Sequence, residues 1–463
     1  VRQSHGSVPR GARALSSLDQ APIRMVTSSR KKTKAYKHVN VVEAYLWGEH
    51  IGSVALDQRY GYYAFQYTPA FANKAIEPSP LRMRANPDEV YLFTDLPDAT
   101  YKRLPALLSD ALPDDFGNAL INRYMADQGI AAANVTPLDR LAYMSTRAMG
   151  AMTFKPTRGP AKHKPTAIAL SELVEEARKI VTGHLDGDDH ANAALRSIID
   201  VGTSAGGARA KAVIALQPQT NEIRSGQLDA PEGFEHWLLK FDGMGLDNEL
   251  GASQNYGRIE YAYHLMARAA GIQMTDCRLL SENGRAHFMT KRFDREGQTG
   301  RHHMQTLCAM DHLDYKKKGA NAYSQLFTVI RQLNLPYEDL EDAFRRMVFN
   351  VMGRNCDDHT KNFSFLLRQG GKTWALSPAY DVTFAHNPTG EWTSQHLMSV
   401  NGKFKGFGVD DLLAEAARFG VGTGRRVIDQ VRAAIEDWPK FAREAELPED
   451  ETVKLQRQHL LLI

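Results

Sequence analysis

The stretch Asn355-Cys-Asp-Asp-His-Thr-Lys-Asn-Phe-Ser364, followed by Leu376-Ser-Pro-Ala-Tyr-Asp381, decides how this chain is read. Asp357 and Asn362 stand five positions apart, and a further acid, Asp381, lies nineteen residues beyond Asn362. A carboxylate and an amide on one short loop, with a second carboxylate returned after a strand pair, can face a single phosphoryl group. The first serves as base for an attacking hydroxyl; the other two offer oxygen ligands to magnesium ions that bridge nucleotide phosphates. The spacing alone is common, so the weight falls on what precedes it.

Four upstream segments supply the rest, in order. Gly202-Thr-Ser-Ala-Gly-Gly-Ala-Arg-Ala-Lys-Ala-Val-Ile-Ala-Leu216 is a Gly-rich turn running into an apolar strand. Glycines let backbone N–H groups approach phosphate, although a hairpin turn has the same composition. His236-Trp-Leu-Leu-Lys-Phe-Asp242 is an apolar strand carrying Lys240, placed to neutralise ATP phosphates. Ile259-Glu-Tyr-Ala-Tyr-His-Leu-Met-Ala-Arg268 reads as a helix whose Glu260 can pair with Lys240. Ala286-His-Phe-Met-Thr-Lys-Arg-Phe-Asp-Arg295 reads as a strand leading to a hinge whose backbone can meet adenine. Protein kinases arrange these parts in the same order.

Two readings stand for several neighbours. Lys361 either stabilises charge on the transferring phosphoryl group or is a solvated loop lysine. His359 touches phosphate or packs the loop. Asp358 is structural or exposed, and Cys356 is a passive loop residue or a nucleophile. A hydrolytic metal centre built from Asp357, Asp358 and His359 with His302 and His303 competes. It lacks the helical HExxH spacing and leaves the Gly-turn, Lys and Glu series unexplained.

Composition sets the class. With 463 residues, 43% hydrophobic and 24% charged, the chain can bury a large core as a globular protein of two or three domains. It contains no apolar run of the roughly 18 residues a membrane span needs. Three scattered cysteines, Cys277, Cys308 and Cys356, argue for reduced thiols and a cytoplasmic setting. The net charge of +3 conceals a basic start: residues 1–38 carry nine Lys or Arg against Asp19 alone. That segment is expected to be either a tail able to touch nucleic acid or an extension upstream of Met25.

The expected organisation is a basic tail over 1–37, a small α+β unit over 38–154, a linker with a helix over 155–198, a catalytic region over 199–445 and a tail over 446–463. Within the α+β unit, apolar alternation around Gly48 predicts a hairpin over 41–56 with a third strand over 60–67. Helical spacing covers 101–127 and 138–145. Helices are further expected over 170–183, 321–333, 337–353, 409–419 and 424–445. The fold class is α+β, a two-lobed protein-kinase-like fold with a mixed β/α lobe and a mainly α-helical lobe.

Gly207-Ala-Arg-Ala-Lys211, Leu239-Lys240, Lys291-Arg-Phe-Asp-Arg295, Asp357 to Ser364 and Leu376 to Asp381, with Leu108-Ser-Asp-Ala-Leu-Pro-Asp114 upstream, resemble the HipA family. Its members are serine/threonine kinase toxins of bacterial type II toxin–antitoxin modules. The resemblance covers about residues 40–445. It implies ATP and Mg2+ as cofactors, Asp357 as catalytic base with Lys361 beside it, and Asn362 and Asp381 as metal ligands. It further implies that the nucleotide meets Gly206, Gly207, Ala208, Arg209, Ala210, Lys211, Lys240, Lys291, Arg292, Phe293, His359, Thr360, Lys361, Asn362, Tyr380 and Asp381. Ser204, adjoined by Thr203, falls where the family autophosphorylates, and a phosphate of about −2 charge there would be repelled by ATP. The implied partners are a HipB-like helix-turn-helix antitoxin, operator DNA reached through that complex, and a protein substrate such as glutamate–tRNA ligase. A co-repressor without activity and a small-molecule phosphotransferase of the same fold remain alternatives. The chain departs from the family in a long 155–200 insertion, in Asp358 where Gly is common, and in Arg209-Ala210.

Overall fold

Alternation decides the first sheet. In β1 (Val41–Leu46) Val42, Ala44 and Leu46 are fully buried while Val41 and Glu43 face out. Trp47 and Gly48, both at positive φ, turn the chain into β2 (Glu49–Asp57). These coordinates, a computed structural model, describe residues 36–160, 169–182, 209–227, 229–245 and 255–462. With β3 (Tyr62–Tyr67), β4 (Val90–Tyr91) and β5 (Met152–Lys155) the sheet runs β4-β3-β2-β1-β5, antiparallel throughout. The expected hairpin and third strand are therefore present.

The segment expected as helical over 101–127 is broken into three helices, Asp98–Tyr101, Ala106–Ser109 and Asp115–Asp127. Pro105 and Pro113 cause the breaks, because proline removes an N–H and pushes the preceding residue out of the helical region. Asp114 then caps the third helix by accepting from Gly117 N at 2.8 Å.

A second antiparallel sheet carries the candidate site. Its strands are β6 (Arg209–Leu216), β7 (Ile223–Ser225), β8 (Glu235–Gly245), β9 (Cys277–Glu282) and β10 (Arg285–Lys291), ordered β7-β6-β8-β10-β9. The helix Tyr256–Ala269 lies against it. Gly257 permits the approach: a Cβ there would overlap Ala286 O and stand 3.0 Å from Ala286 C and 3.1 Å from Phe288 N, both in β10.

The remainder is mainly helical: Tyr323–Gln332, Tyr337–Met352, Val409–Phe419, Gly424–Glu436, Trp438–Glu444 and Glu449–Gln456. Their apolar stripes share one core that includes Phe327, Phe344, Phe349, Val427, Ile428 and Trp438. The single helix expected over 424–445 is two, parted at Asp437, with Pro439 in the first turn of the second. The stretch expected as a tail holds the last helix, with Leu455 buried and Leu460 N donating to Met352 O at 2.8 Å. The chain thus has a mixed β/α lobe and a mainly helical lobe, as the fold class anticipated. Among the described residues no helix is long and apolar enough to cross a membrane.

Residues Lys37–Ile463 pack as one compact unit. The first sheet's region is stitched to the catalytic region at several points. Trp374 Nε1 donates to Glu77 O at 3.2 Å, and His303 Nε2 lies 2.9 Å from Pro78 O. Asp294, fully buried, accepts from Gly150 N at 2.7 Å and pairs with Arg292 and Arg295, both at 2.7 Å. Arg295 also donates to Gly150 O at 3.0 Å, and Arg301 to Thr146 O at 3.0 Å.

Candidate active site

The site is assembled around Lys240. Its ammonium bonds both Glu260, from the helix Tyr256–Ala269, and Asp381, from the loop after the Trp374–Leu376 strand. Lys240 and Glu260 are buried, and the Phe288 ring lies 5.6 Å from Nζ. Burial disfavours the charged lysine, but the Asp381 and Glu260 carboxylates overcome it and hold the pKa above the ordinary value. Burial likewise opposes the charge on Asp381; Lys240 and then Lys211 reverse this and hold that carboxyl well below the usual range. Asp381 adopts φ +57°, a left-handed conformation that a non-Gly residue pays for, so its aim is imposed by its surroundings.

The loop Asp357–Asn362 ends in a short 3-10 turn, Thr360–Asn362. Asn362 Nδ2 donates to Asp357 O at 2.8 Å, which fixes the amide and leaves its oxygen outside that bond. Asn362, Tyr380 and Asp381 line one cavity. Asp357 keeps 38% of its side-chain surface accessible. Even so, lost hydration raises its pKa above the carboxylate norm; His359 pulls it down, Asp381 pushes it up, and a hydrogen bond from Trp392 pulls it down again. That bond, Trp392 Nε1 to Asp357 Oδ1 at 3.0 Å, spans 35 residues and had no sequence signal. His359 Nε2 lies 3.8 Å from Asp357 Oδ1, with its ring edge-on to Tyr315 at 5.3 Å.

Of the two readings for Asp358, the structural one holds. It is buried, accepting from Tyr323 OH at 2.7 Å and Leu397 N at 2.8 Å and pairing with His396 Nδ1 at 2.7 Å. Burial lowers the pKa of His396, but Asp358 more than offsets it and the imidazole is pushed up to about 10. A charged pair thus pins the loop from behind.

Lys361 sits 5.1 Å from the Tyr315 ring. Burial lowers its pKa and the Asp110 charge raises it, with a net upward result. Lys211 is the register partner of Lys240 across β6 and β8, so both project from the same face. Lys211 pairs with Asp114 at 3.3 Å, both buried. Two acids of the Leu108–Asp114 segment therefore set the charge environment of two cleft lysines. Sequence reasoning missed both, because those contacts join residues about a hundred or more positions apart.

Of the expected hinge, Lys291 N and Arg292 N already donate to Asp276 O and His236 O, each at 2.9 Å. The Arg292 guanidinium is bidentate on Asp294. Phe293 pairs with Tyr380 at 5.6 Å, and Tyr380 OH donates to Lys361 O at 2.6 Å. Ala210 is buried in β6, and Thr360 is fully buried. Arg209 opens β6 opposite Gly245. Thr203, Ser204, Gly206, Gly207 and Ala208 lie outside the described residues, as does the basic tail. His302 and His303 are engaged elsewhere, by Glu296 at 3.3 Å and Pro78, and no cluster of three metal-ligating side chains occurs among the described residues. The amide oxygen of Asn362 and the Asp381 carboxylate are hard oxygen donors, a set that fits magnesium.

Comparison with known proteins places this architecture. The HipA N-terminal domain matches residues 42–155, and the HipA-like C-terminal domain matches residues 203–439. The chain belongs to the HipA family. Across 90% of this chain and 95% of the other, the fold is similar, with a TM-score of 0.63 and 16% identity, to a solved Shewanella oneidensis MR-1 toxin–antitoxin complex of HipA, HipB and operator DNA. A second solved structure, the Helicobacter pylori proinflammatory kinase CtkA, aligns over 50% of this chain and 89% of its own at 12% identity, with a TM-score of 0.33 too low to carry an argument. Among curated relatives, "Putative kinase Y4mE" of Sinorhizobium fredii is 28% identical over 126 residues, 25% of this chain. The match spans 30% of that relative's length.

Proposed function

We propose that this HipA-family chain is an ATP-dependent serine/threonine protein kinase and the toxin of a toxin–antitoxin pair. The observation that carries the reading is the convergence of Lys240, Glu260 and Asp381, with Asp357 and Asn362 presented from one loop beside them. In this reading Glu260 holds Lys240 against the nucleotide phosphates, and Lys211 adds a second positive charge on the same sheet face. Asp357 accepts the proton of a Ser or Thr hydroxyl as that oxygen attacks the γ-phosphoryl group and the bond from the γ-phosphorus to the bridging oxygen breaks, releasing ADP. Lys361, on the same loop as Asp357, would offset charge on the transferring group. Magnesium, held by Asn362 and Asp381, would neutralise phosphate charge. Were magnesium bound, Asp381 would serve it as well as Lys240, with Glu260 keeping the lysine in place.

The same proposal includes autophosphorylation at Ser204 or Thr203, and a HipB-like antitoxin through which operator DNA is reached. The likeness to a HipA, HipB and operator complex supports those partners.

The test incubates wild type and Asp357→Ala with Mg-ATP and reads intact and peptide masses. Phosphate on the 199–211 peptide of wild type alone is the expected result. Equal transfer by Asp357→Ala, or no transfer to itself or to any protein by a dephosphorylated wild type that binds nucleotide, overturns the reading. The second result would leave a co-repressor.

A further inference from the structure

Beside the candidate base lies a run of lysines that the reading above does not use. Lys316, Lys317 and Lys318 are consecutive and exposed. Among the described residues these three ammonium groups form no ion pair with a carboxylate, and Oδ1 of the neighbouring Asp314 accepts from Thr100 and from Lys316 N. The run is anchored at both ends to the catalytic loop through aromatic rings. Lys318 Nζ lies 6.0 Å from the Trp392 ring, and Trp392 bonds Asp357. Lys316 Nζ lies 5.8 Å from the Tyr315 ring, and Tyr315 packs on His359. Lys102 adds to the same rim: burial first, then the Lys316 charge, lowers its pKa, while Asp98 and Asp115 act the other way.

We propose that Tyr315 to Lys318, with Trp392, form an acceptor platform that selects a polypeptide whose phosphorylatable Ser or Thr is flanked by acidic side chains. This rests on the kinase reading and names its substrate class. Three adjacent ammonium groups with no carboxylate partner among the described residues repel one another, which an acidic segment relieves on docking. An extended peptide rises about 3.3 Å per residue, so three consecutive lysines can meet acids spread over several positions of one strand-like segment while its hydroxyl reaches Asp357. A single-stranded nucleic acid is disfavoured, because such ligands need open aromatic faces for their bases. Here the Tyr315 ring already receives Lys316 and Lys361, and the Trp392 ring receives Lys318.

The experiment measures binding, so it does not require that transfer occur. Fluorescein-labelled peptides with one central Ser flanked by Glu, or by Gln at the same positions, are titrated with the full chain by anisotropy at low and high salt. A single-stranded RNA of equal charge is run in parallel. The acidic peptide is expected to bind about ten-fold tighter than the Gln peptide, and the gap should close with salt. Both the Lys316→Glu/Lys317→Glu/Lys318→Glu variant and the milder triple Met variant should abolish the gap while retaining wild-type affinity for an ATP analogue, which reports folding. Equal binding of the two peptides overturns the proposal, as does a gap that survives both variants or tighter, lysine-dependent binding of the RNA. A chain that shows the gap but never transfers phosphate would instead defeat the kinase reading and leave the platform standing.

Discussion

Replacing Gly257 by Ala tests whether the Lys240–Glu260 pair depends on how closely the helix Tyr256–Ala269 approaches the sheet. The new Cβ would overlap Ala286 O and lie 3.0 Å from Ala286 C and 3.1 Å from Phe288 N. All three atoms belong to the β10 backbone, in which Ala286 is held by β9 and Phe288 by both β8 and β9, so it yields less readily than the helix. The helix must therefore retreat, by about 1.5 Å, to restore ordinary contact, and overpacking of this kind costs roughly 1–3 kcal/mol. Glu260 stands three residues on, on the same helix face, and moves with it. Lys240 then keeps Asp381 and loses Glu260, its ammonium swings away from the phosphates, and a misplacement of about 1 Å costs on the order of a hundred-fold in kcat/KM. The assay combines thermal melting, nucleotide affinity and transfer rate. Gly422→Ala is the control, since nothing lies within 4 Å of that Cβ. A Gly257→Ala protein with wild-type nucleotide affinity and transfer would refute the argument, whatever its melting temperature.

Trp392→Phe keeps an aromatic ring but removes the N–H that favours ionised Asp357; the acid limb of transfer against pH should move up, with activity recovering at higher pH. An unmoved limb would show that the bond does not tune the base. Asp358→Asn should cost about 3 kcal/mol or more at neutral pH, because it strands a buried imidazole. His396 titrates near 10 when folded and near 6.5 when unfolded, so the pair's stabilisation is complete below about pH 6.5 and is lost as pH rises through 10. Denaturant melts from pH 6 to 10 should show that decline in wild type and not in Asp358→Asn; parallel slopes would dismiss the pair as a source of stability.

The parts legible in the sequence were those whose signal is local or ordered along the chain. The hairpin followed from alternation about Gly48, and Lys240, Glu260, Asn362 and Asp381 followed from the order of strand, helix and loop around them. Pro105, Pro113 and Pro439 were visible signals for breaks in helices that periodicity alone ran together. What stayed hidden depends on distant pairings that no spacing encodes. Asp114 finds Lys211 and Asp110 acts on Lys361 only because the amino-terminal segment folds over the cleft. Trp392 reaches Asp357, and His396 reaches Asp358, because the loop after Asp381 turns back on the site. The role of Asp358 was open for that reason: a buried acid needs its counter-charge, and this one comes 38 positions later.

Asp294, wrapped by Arg292 and Arg295 and capped by Gly150 N, lies on the boundary between the two family segments. A fragment beginning at β6 would strip Gly150 from that knot, Asp110 from Thr306, and Pro78 from His303. Each loss removes a hydrogen bond, at about 0.5–1.5 kcal/mol apiece and more where charge is involved, and uncovers the surface that the amino-terminal segment shields, against a total stability of roughly 5–15 kcal/mol for a domain. The carboxy-terminal half is therefore not expected to be a separable cartridge: a truncation that removes the amino-terminal part should forfeit that half's fold rather than release it.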